Sequence, residues 1–113
     1  ESAEQTTVIV QIEDLGALDN VAEIAAVPGI DAIFVGRIDL AVAMSCSPMD
    51  DEVVSTVQRI CDHAREADAA VGMFTPDMSE IPGWRERGTS LFLLGSDQSM
   101  VLSGGEALAK VLD

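Results

Sequence analysis

Basic residues are scarce in this sequence. Its 113 residues include 6 Lys and Arg against 20 Asp and Glu, which gives a formal net charge of −14 at pH 7. Nucleic acids and anionic membranes bind proteins through clustered Lys and Arg side chains. We therefore expect neither a nucleic acid nor a membrane surface as a partner.

Cysteine is also scarce, and no long apolar run is present. Cys46 and Cys61 form no CxxC pair, so the sequence predicts neither a zinc site nor a disulfide framework. No apolar run approaches the roughly 18 to 20 residues that span a bilayer. Residues Glu1 to Gln5 lack the basic start and apolar core of a signal peptide. We predict a soluble protein of the reducing cytoplasm.

Hydrophobic residues make up 48% of the chain, which is typical of a folded domain and not of an acidic disordered tail. The length allows about one small domain. The sequence begins with Glu1 instead of Met and reaches an apolar run within a few residues. This start predicts trimming, or a cut from a longer protein.

Apolar runs alternate with amphipathic stretches along the chain. The first run is β-branched and almost continuously apolar, which is typical of a strand buried on both faces of a parallel sheet. The predicted strands are Thr6–Ile12, Asp31–Val35, Ala70–Phe74 and Ser90–Leu94. Helical spacing predicts helices at about Leu15–Ala25, Asp51–Asp68, Met78–Arg87 and Asp97–Leu112, with a short helix Leu40–Met44 inside the loop Arg37–Asp50.

The resulting order, βαβαβαβα, predicts an α/β fold with parallel strands and right-handed crossovers. Four such units fit a small open doubly wound sheet or half of an eight-stranded barrel. In both architectures, ligands bind beyond the carboxyl ends of the strands. Chemistry is therefore expected where the predicted strands end.

Polar residues stand at two of these strand ends. Gln11 and Glu13 lie two residues apart, so their side chains point to the same side of the sheet. Asp39 follows the next strand through Gly36, where a glycine permits close approach of a ligand or a positive φ. Two simpler interpretations stay open. Gln11 and Glu13 are also typical of a solvated strand end, and Asp39 is also typical of the N-cap of the helix Leu40–Met44.

Two carboxylates at the same edge of a sheet are suited to a hard divalent cation such as Mg²⁺ or Mn²⁺. Backbone N–H groups of Ile38 and Asp39 at the start of a helical turn are suited to an anion such as a substrate carboxylate. A 2-oxo acid suits a site that combines these amides with Glu13 and Asp39. A metal there stabilises the enolate formed when a carbon–carbon bond breaks, as in a metal-dependent aldolase.

The segment from Val10 to Glu13 (VQIE) and the segment from Pro28 to Leu40 (PGIDAIFVGRIDL) resemble the HpcH/HpaI aldolase and citrate lyase family. The resemblance implies Glu13 and Asp39 as ligands of Mg²⁺, Mn²⁺ or Co²⁺, with Gln11 supporting them. It also implies that the Ile38 and Asp39 amides bind the substrate carboxylate beside Gly36. Phe74 is then expected to flank the aldehyde side of the pocket.

The likeness continues through the segments Val71–Phe74 and Gly88–Asp97. It implies that residues 1–113 are a single (β/α)4 segment, the C-terminal half of a (β/α)8 barrel. The catalytic His and the carbonyl-polarising Arg of the family come from the other half and have no matching position here. Arg37 stands where many members have Pro, and it is expected to add a cationic contact for an acidic substrate or to lie solvated in the loop.

The resemblance thus implies a metal-dependent carbon–carbon lyase acting on a 2-oxo-4-hydroxy acid through a pyruvate-type enolate. Its partners are then a pyruvate-like or oxaloacetate-like 2-oxo acid and an aldehyde. Two alternatives stay open: a citrate lyase β-like enzyme acting on a CoA thioester, and a noncatalytic half-barrel or flavodoxin-like association module. Exposed edge strands predict a homo-oligomer or association with the missing half of the barrel.

Overall fold

The computed structural model describes residues 6–112 and contains one parallel four-stranded sheet. The strands, in spatial as in chain order, are β1 (Ile9–Ile12), β2 (Ala32–Val35), β3 (Ala70–Thr75) and β4 (Leu91–Leu94). The helices are α1 (Val21–Ala25), α2 (Arg37–Ala43), α3 (Asp51–Glu66), α4 (Ile81–Glu86) and α5 (Asp97–Ala109). Short 3₁₀ helices, Leu15–Asn20 and Met78–Glu80, lead into α1 and α4. The predicted α/β class is confirmed.

The core lies between one face of the sheet and the helices. Ile33 and Met73 point to this face from the two central strands and are fully buried. They belong to one apolar cluster with Val53, Val57 and Ile60 of α3. Apolar residues recur at helical spacing in α3, so this helix presents a continuous stripe to the sheet.

The opposite face of the sheet is largely open. Ile9 is 46% exposed on β1, and Leu93 is 58% exposed on β4. Phe34 and Leu91 meet over Gly72, since a Cβ built on this glycine lies 3.0 Å from Phe34 Cδ2 and 2.9 Å from Leu91 Cδ2. Burial of the first strand on both faces is therefore wrong for this part of the chain. The reason is that no element among residues 6–112 covers this face.

The last helix, α5, is exposed to solvent along its whole length. It begins with a capping box in which Ser96 and Ser99 exchange side-chain and backbone hydrogen bonds. Every residue of α5 is exposed, including Val101 at 77% and Leu108 at 73%. Among the described helices, none is long and apolar enough to cross a lipid bilayer.

Candidate metal and substrate site

Gln11 and Glu13 lie side by side at the carboxyl end of β1. Gln11 Nε2 donates a hydrogen bond to Glu13 Oε2 at 2.6 Å, which confirms that both side chains point to the same side. The amide fixes one oxygen of the Glu13 carboxylate. Among the described residues, no hydrogen bond is made to the other oxygen, and Glu13 is exposed.

Gly36 brings these side chains together with Asp39. A Cβ built on Gly36 lies 2.7 Å from Glu13 Cβ, 2.9 Å from Gln11 Nε2 and 3.3 Å from Asp39 Oδ2. Gln11, Glu13 and Asp39 therefore surround one point at the end of β2, and only a glycine fits there. We call this group of three side chains around Gly36 the carboxylate site.

Helix α2 begins earlier than the sequence predicts. It starts at Arg37, and Gly36 is its N-cap residue, so the interpretation of Asp39 as an N-cap is wrong. Gly36 has φ −77° and ψ 66°, so a positive φ is not the reason for a glycine here. The reason is the close approach of Gln11 and Glu13.

The first turn of α2 presents backbone amides to the same edge of the sheet. The first intrahelical hydrogen bond runs from Leu40 N–H to Gly36 O at 2.9 Å. The N–H groups of Ile38 and Asp39 precede it, at the positive end of the helix dipole. Ile38 is 42% exposed and Asp39 is also exposed, so these two residues of the turn reach solvent.

Phe74 lies on the open face of the sheet, toward the carboxyl end of β3. It follows Gly72 by two residues on β3, so its side chain shares the face of Phe34 and Leu91. In the strand register Phe74 pairs with Leu93, and it is half-buried. Apolar side chains thus continue across this face from β2 to β4.

Arg37 is placed differently from both interpretations of the sequence. It is 3% exposed, so it is not a solvated loop residue. Its Nη1 lies 2.8 Å from Glu80 Oε2 and donates to Met49 Sδ at 2.7 Å. Its guanidinium lies 5.2 Å from the centre of the Trp84 ring. A contact between Arg37 and the substrate stays a prediction to which this geometry lends no support.

Glu80 and Trp84 hold Arg37 from the connection that follows β3. Trp84 Nε1 donates to the same Glu80 oxygen, Oε2, at 3.1 Å, so one carboxylate oxygen serves both Arg37 and Trp84. Trp84 is 3% exposed. No local motif marks their contact with Arg37, because Arg37 follows β2 and both of them follow β3.

The two cysteines lack the surroundings of a nucleophile. Cys46 Sγ lies 3.7 Å from Glu52 Oε2, and partial burial together with this carboxylate raises the pKa of the Cys46 thiol. Burial raises the pKa of the Cys61 thiol. Nucleophilic cysteines need a lowered pKa, so neither residue is assigned to the chemistry.

The donors of the carboxylate site, two carboxylates and one amide, are of the chemical kind that Mg²⁺ takes. Within residues 6–112, no group of three or more His, Cys, Asp or Glu side chains is gathered to hold a metal ion alone. Mg²⁺ usually keeps several waters and takes only one or two carboxylates from the protein. Glu13 and Asp39 provide that number of carboxylates, and the Gln11 hydrogen bond orients one of them.

The sequence model of the HpcH/HpaI aldolase/citrate lyase family matches residues 1–103. The chain belongs to this family. Its members are carbon–carbon cleaving aldolases and lyases, and the resemblance inferred from the segments around Glu13 and Asp39 is confirmed.

Two curated relatives and one solved structure show how much of the family fold is present. A "5-keto-4-deoxy-D-glucarate aldolase" from Salmonella arizonae is 35% identical over 111 residues, which are 96% of this chain and 43% of that protein. A "Hydroxypyruvate/pyruvate aldolase" from Pseudomonas aeruginosa is 32% identical over 108 residues, 94% of this chain and 40% of that protein.

Among solved structures, an HpcH/HpaI aldolase/citrate lyase family protein from Burkholderia cenocepacia J2315 superposes with a TM-score of 0.88 at 34% identity. The match covers 97% of this chain and 44% of that one. The chain thus spans less than half the length of the relatives that it matches.

Proposed function

We propose that the protein is a divalent-metal-dependent aldolase that makes or breaks the carbon–carbon bond of a 2-oxo-4-hydroxy acid. The observation that carries this proposal is the convergence of Gln11, Glu13 and Asp39 around Gly36 at the carboxyl edge of a parallel sheet. Ligands bind at this edge in α/β proteins. The names of the aldolase relatives support the choice of substrate class.

Each residue of the site has a defined task in this proposal. Glu13 and Asp39 hold the cation, and Gln11 keeps the Glu13 carboxylate turned toward it. The N–H groups of Ile38 and Asp39 bind the substrate carboxylate, and Phe74 borders the aldehyde side. When held by Glu13 and Asp39, a divalent cation would supply a Lewis acid for the negative charge that develops on the 2-oxo oxygen.

Metal-dependent release of pyruvate tests this function. We expect the intact protein to release pyruvate from 5-keto-4-deoxy-D-glucarate with Mg²⁺ or Mn²⁺ and to lose this activity in EDTA. Coupling to lactate dehydrogenase measures the pyruvate. Cleavage of a citryl-type CoA thioester instead would assign the protein to the citrate lyase branch. Cleavage of neither substrate would favour a noncatalytic module.

We further propose that the chain is the C-terminal half of a (β/α)8 barrel whose open face is covered by further (β/α) units. The support is the apolar character of that face, where Ile9, Leu91 and Leu93 are exposed beside Phe34. Two parallel edge strands and an uncovered apolar layer favour association. The covering units come from the same protein or from an associated copy.

Truncation of Leu93 tests whether this face is covered. With Leu93 buried in a completed barrel, we expect Leu93→Ala to lower the free energy of unfolding of the intact protein by about 2 to 4 kcal/mol. Ile33→Ala, at a residue buried by α3 in any assembly, serves as the reference. Urea denaturation measures both variants. A loss below about 0.5 kcal/mol for Leu93→Ala, with a large loss for Ile33→Ala, contradicts the barrel proposal.

A further inference from the structure

Arg37 carries a buried charge that contacts Glu80, Trp84 and Met49. Its side chain is 3% exposed, and Glu80, the acid paired with it, is 19% exposed. Because a buried guanidinium is unstable without a counter-charge, Arg37 depends on Glu80. Trp84 completes the arrangement by stacking near Arg37 and donating to Glu80. We call Arg37, Glu80 and Trp84 the arginine clamp.

The arginine clamp joins two connections at the edge of the sheet where the carboxylate site lies. Arg37 is the first residue of α2, directly after β2. Glu80 and Trp84 belong to the 3₁₀ helix and α4 that follow β3. Since β2 and β3 are parallel neighbours, their carboxyl ends meet. The clamp therefore fixes the start of α2 against the next connection.

Asp39 has no such anchor of its own. Within residues 6–112 its carboxylate makes no hydrogen bond or ion pair with another side chain, and the residue is exposed. The backbone of the first turn of α2 sets where the Asp39 Cβ lies. Arg37 is the first residue of that turn, so its position limits how close the Asp39 carboxylate can come to Glu13.

We propose that the arginine clamp is a positioning device that holds the first turn of α2 so that Asp39 shares a cation with Glu13. The inference rests on the proposed function. It makes Arg37 a positioning residue that acts through Asp39 and does not touch the substrate.

The affinity of the protein for a metal ion distinguishes a positioning role of the arginine clamp from a purely structural role. We expect Arg37→Met in the intact protein to raise the Kd for Mn²⁺ about tenfold, in the range seen when groups that orient metal ligands are removed. Glu80→Gln is expected to act in the same direction. Because the two residues work as a unit, the double variant is expected to lose no more affinity than the single variants. Isothermal titration calorimetry with MnCl₂ measures all of these values.

A second readout needs no metal. The Leu40 N–H donates the first hydrogen bond of α2 to Gly36 O, so its hydrogen exchange reports whether this turn is held. In metal-free protein, we expect Arg37→Met to accelerate exchange at Leu40 and to leave exchange at Val35 in β2 unchanged.

Two controls make the outcome decisive. Ile60→Val destabilises the core beside α3 and changes no residue of the clamp. Arg65→Met removes an exposed Arg that is paired with Asp62. Both variants are expected to keep the wild-type Kd for Mn²⁺. If the wild-type protein binds Mn²⁺ and Arg37→Met has the same Kd, the positioning role of the arginine clamp is overturned. The proposed function then still stands. Absence of Mn²⁺ binding by the wild-type protein overturns the proposed function and the role of the clamp with it.

Discussion

Glu13→Gln is expected to abolish metal-dependent cleavage and to weaken Mn²⁺ binding by more than about 100-fold. Gln keeps the size of the Glu side chain but removes the negative charge, which is what a hard cation requires of its ligand. The loss should exceed the roughly 10-fold to 100-fold effect of removing a group that only orients a ligand. Asp39→Asn is expected to behave in the same way. Calorimetric titration with MnCl₂ and the pyruvate release assay measure the two effects.

Glu106→Gln is the matched control for Glu13→Gln. Glu106 is an exposed residue of α5, far along the chain from the carboxylate site, and it undergoes the same chemical change. We expect this variant to keep wild-type metal affinity and activity. Wild-type Mn²⁺ affinity in both Glu13→Gln and Asp39→Asn would show that the cation is bound elsewhere.

The parts of the site that depend on local pattern were predictable from the sequence. Alternation along β1 places Gln11 and Glu13 on one side, and the hydrogen bond between them confirms it. Parallel neighbouring strands bring the residues after β2 to the same edge, which places Asp39 near Glu13. These inferences need only the period of a strand and the direction of a sheet.

The environment of Arg37 was not predictable in this way. An Arg in a loop is usually exposed, and its burial here depends on Glu80 and Trp84, which follow a different strand. The exposure of β1 has a related cause. An apolar sequence shows that a strand is suited to burial, but what covers each face depends on elements distant in the chain or outside it.

Gly36→Ala is the second change with a large expected effect. The added Cβ would lie 2.7 Å from Glu13 Cβ and 2.9 Å from Gln11 Nε2, so β1 or the start of α2 must move. Inserting a methyl group into a tight contact costs about 1 to 3 kcal/mol of stability. The displacement also separates the two carboxylates, and we expect the Kd for Mn²⁺ to rise at least tenfold. Urea denaturation and calorimetric titration measure these two effects.

Gly104→Ala separates this steric effect from the general effect of replacing a glycine. A Cβ on Gly104 meets no atom within 4 Å, and the residue lies inside α5, where Ala is favoured over Gly by about 1 kcal/mol. We expect this variant to be as stable as the wild type or more stable, with unchanged metal affinity. If Gly36→Ala matched it in both respects, the close packing of Gln11, Glu13 and Asp39 around Gly36 would have no part in metal binding. A loss of affinity confined to Gly36→Ala would instead show that the glycine is needed because the metal ligands occupy the space of its missing side chain.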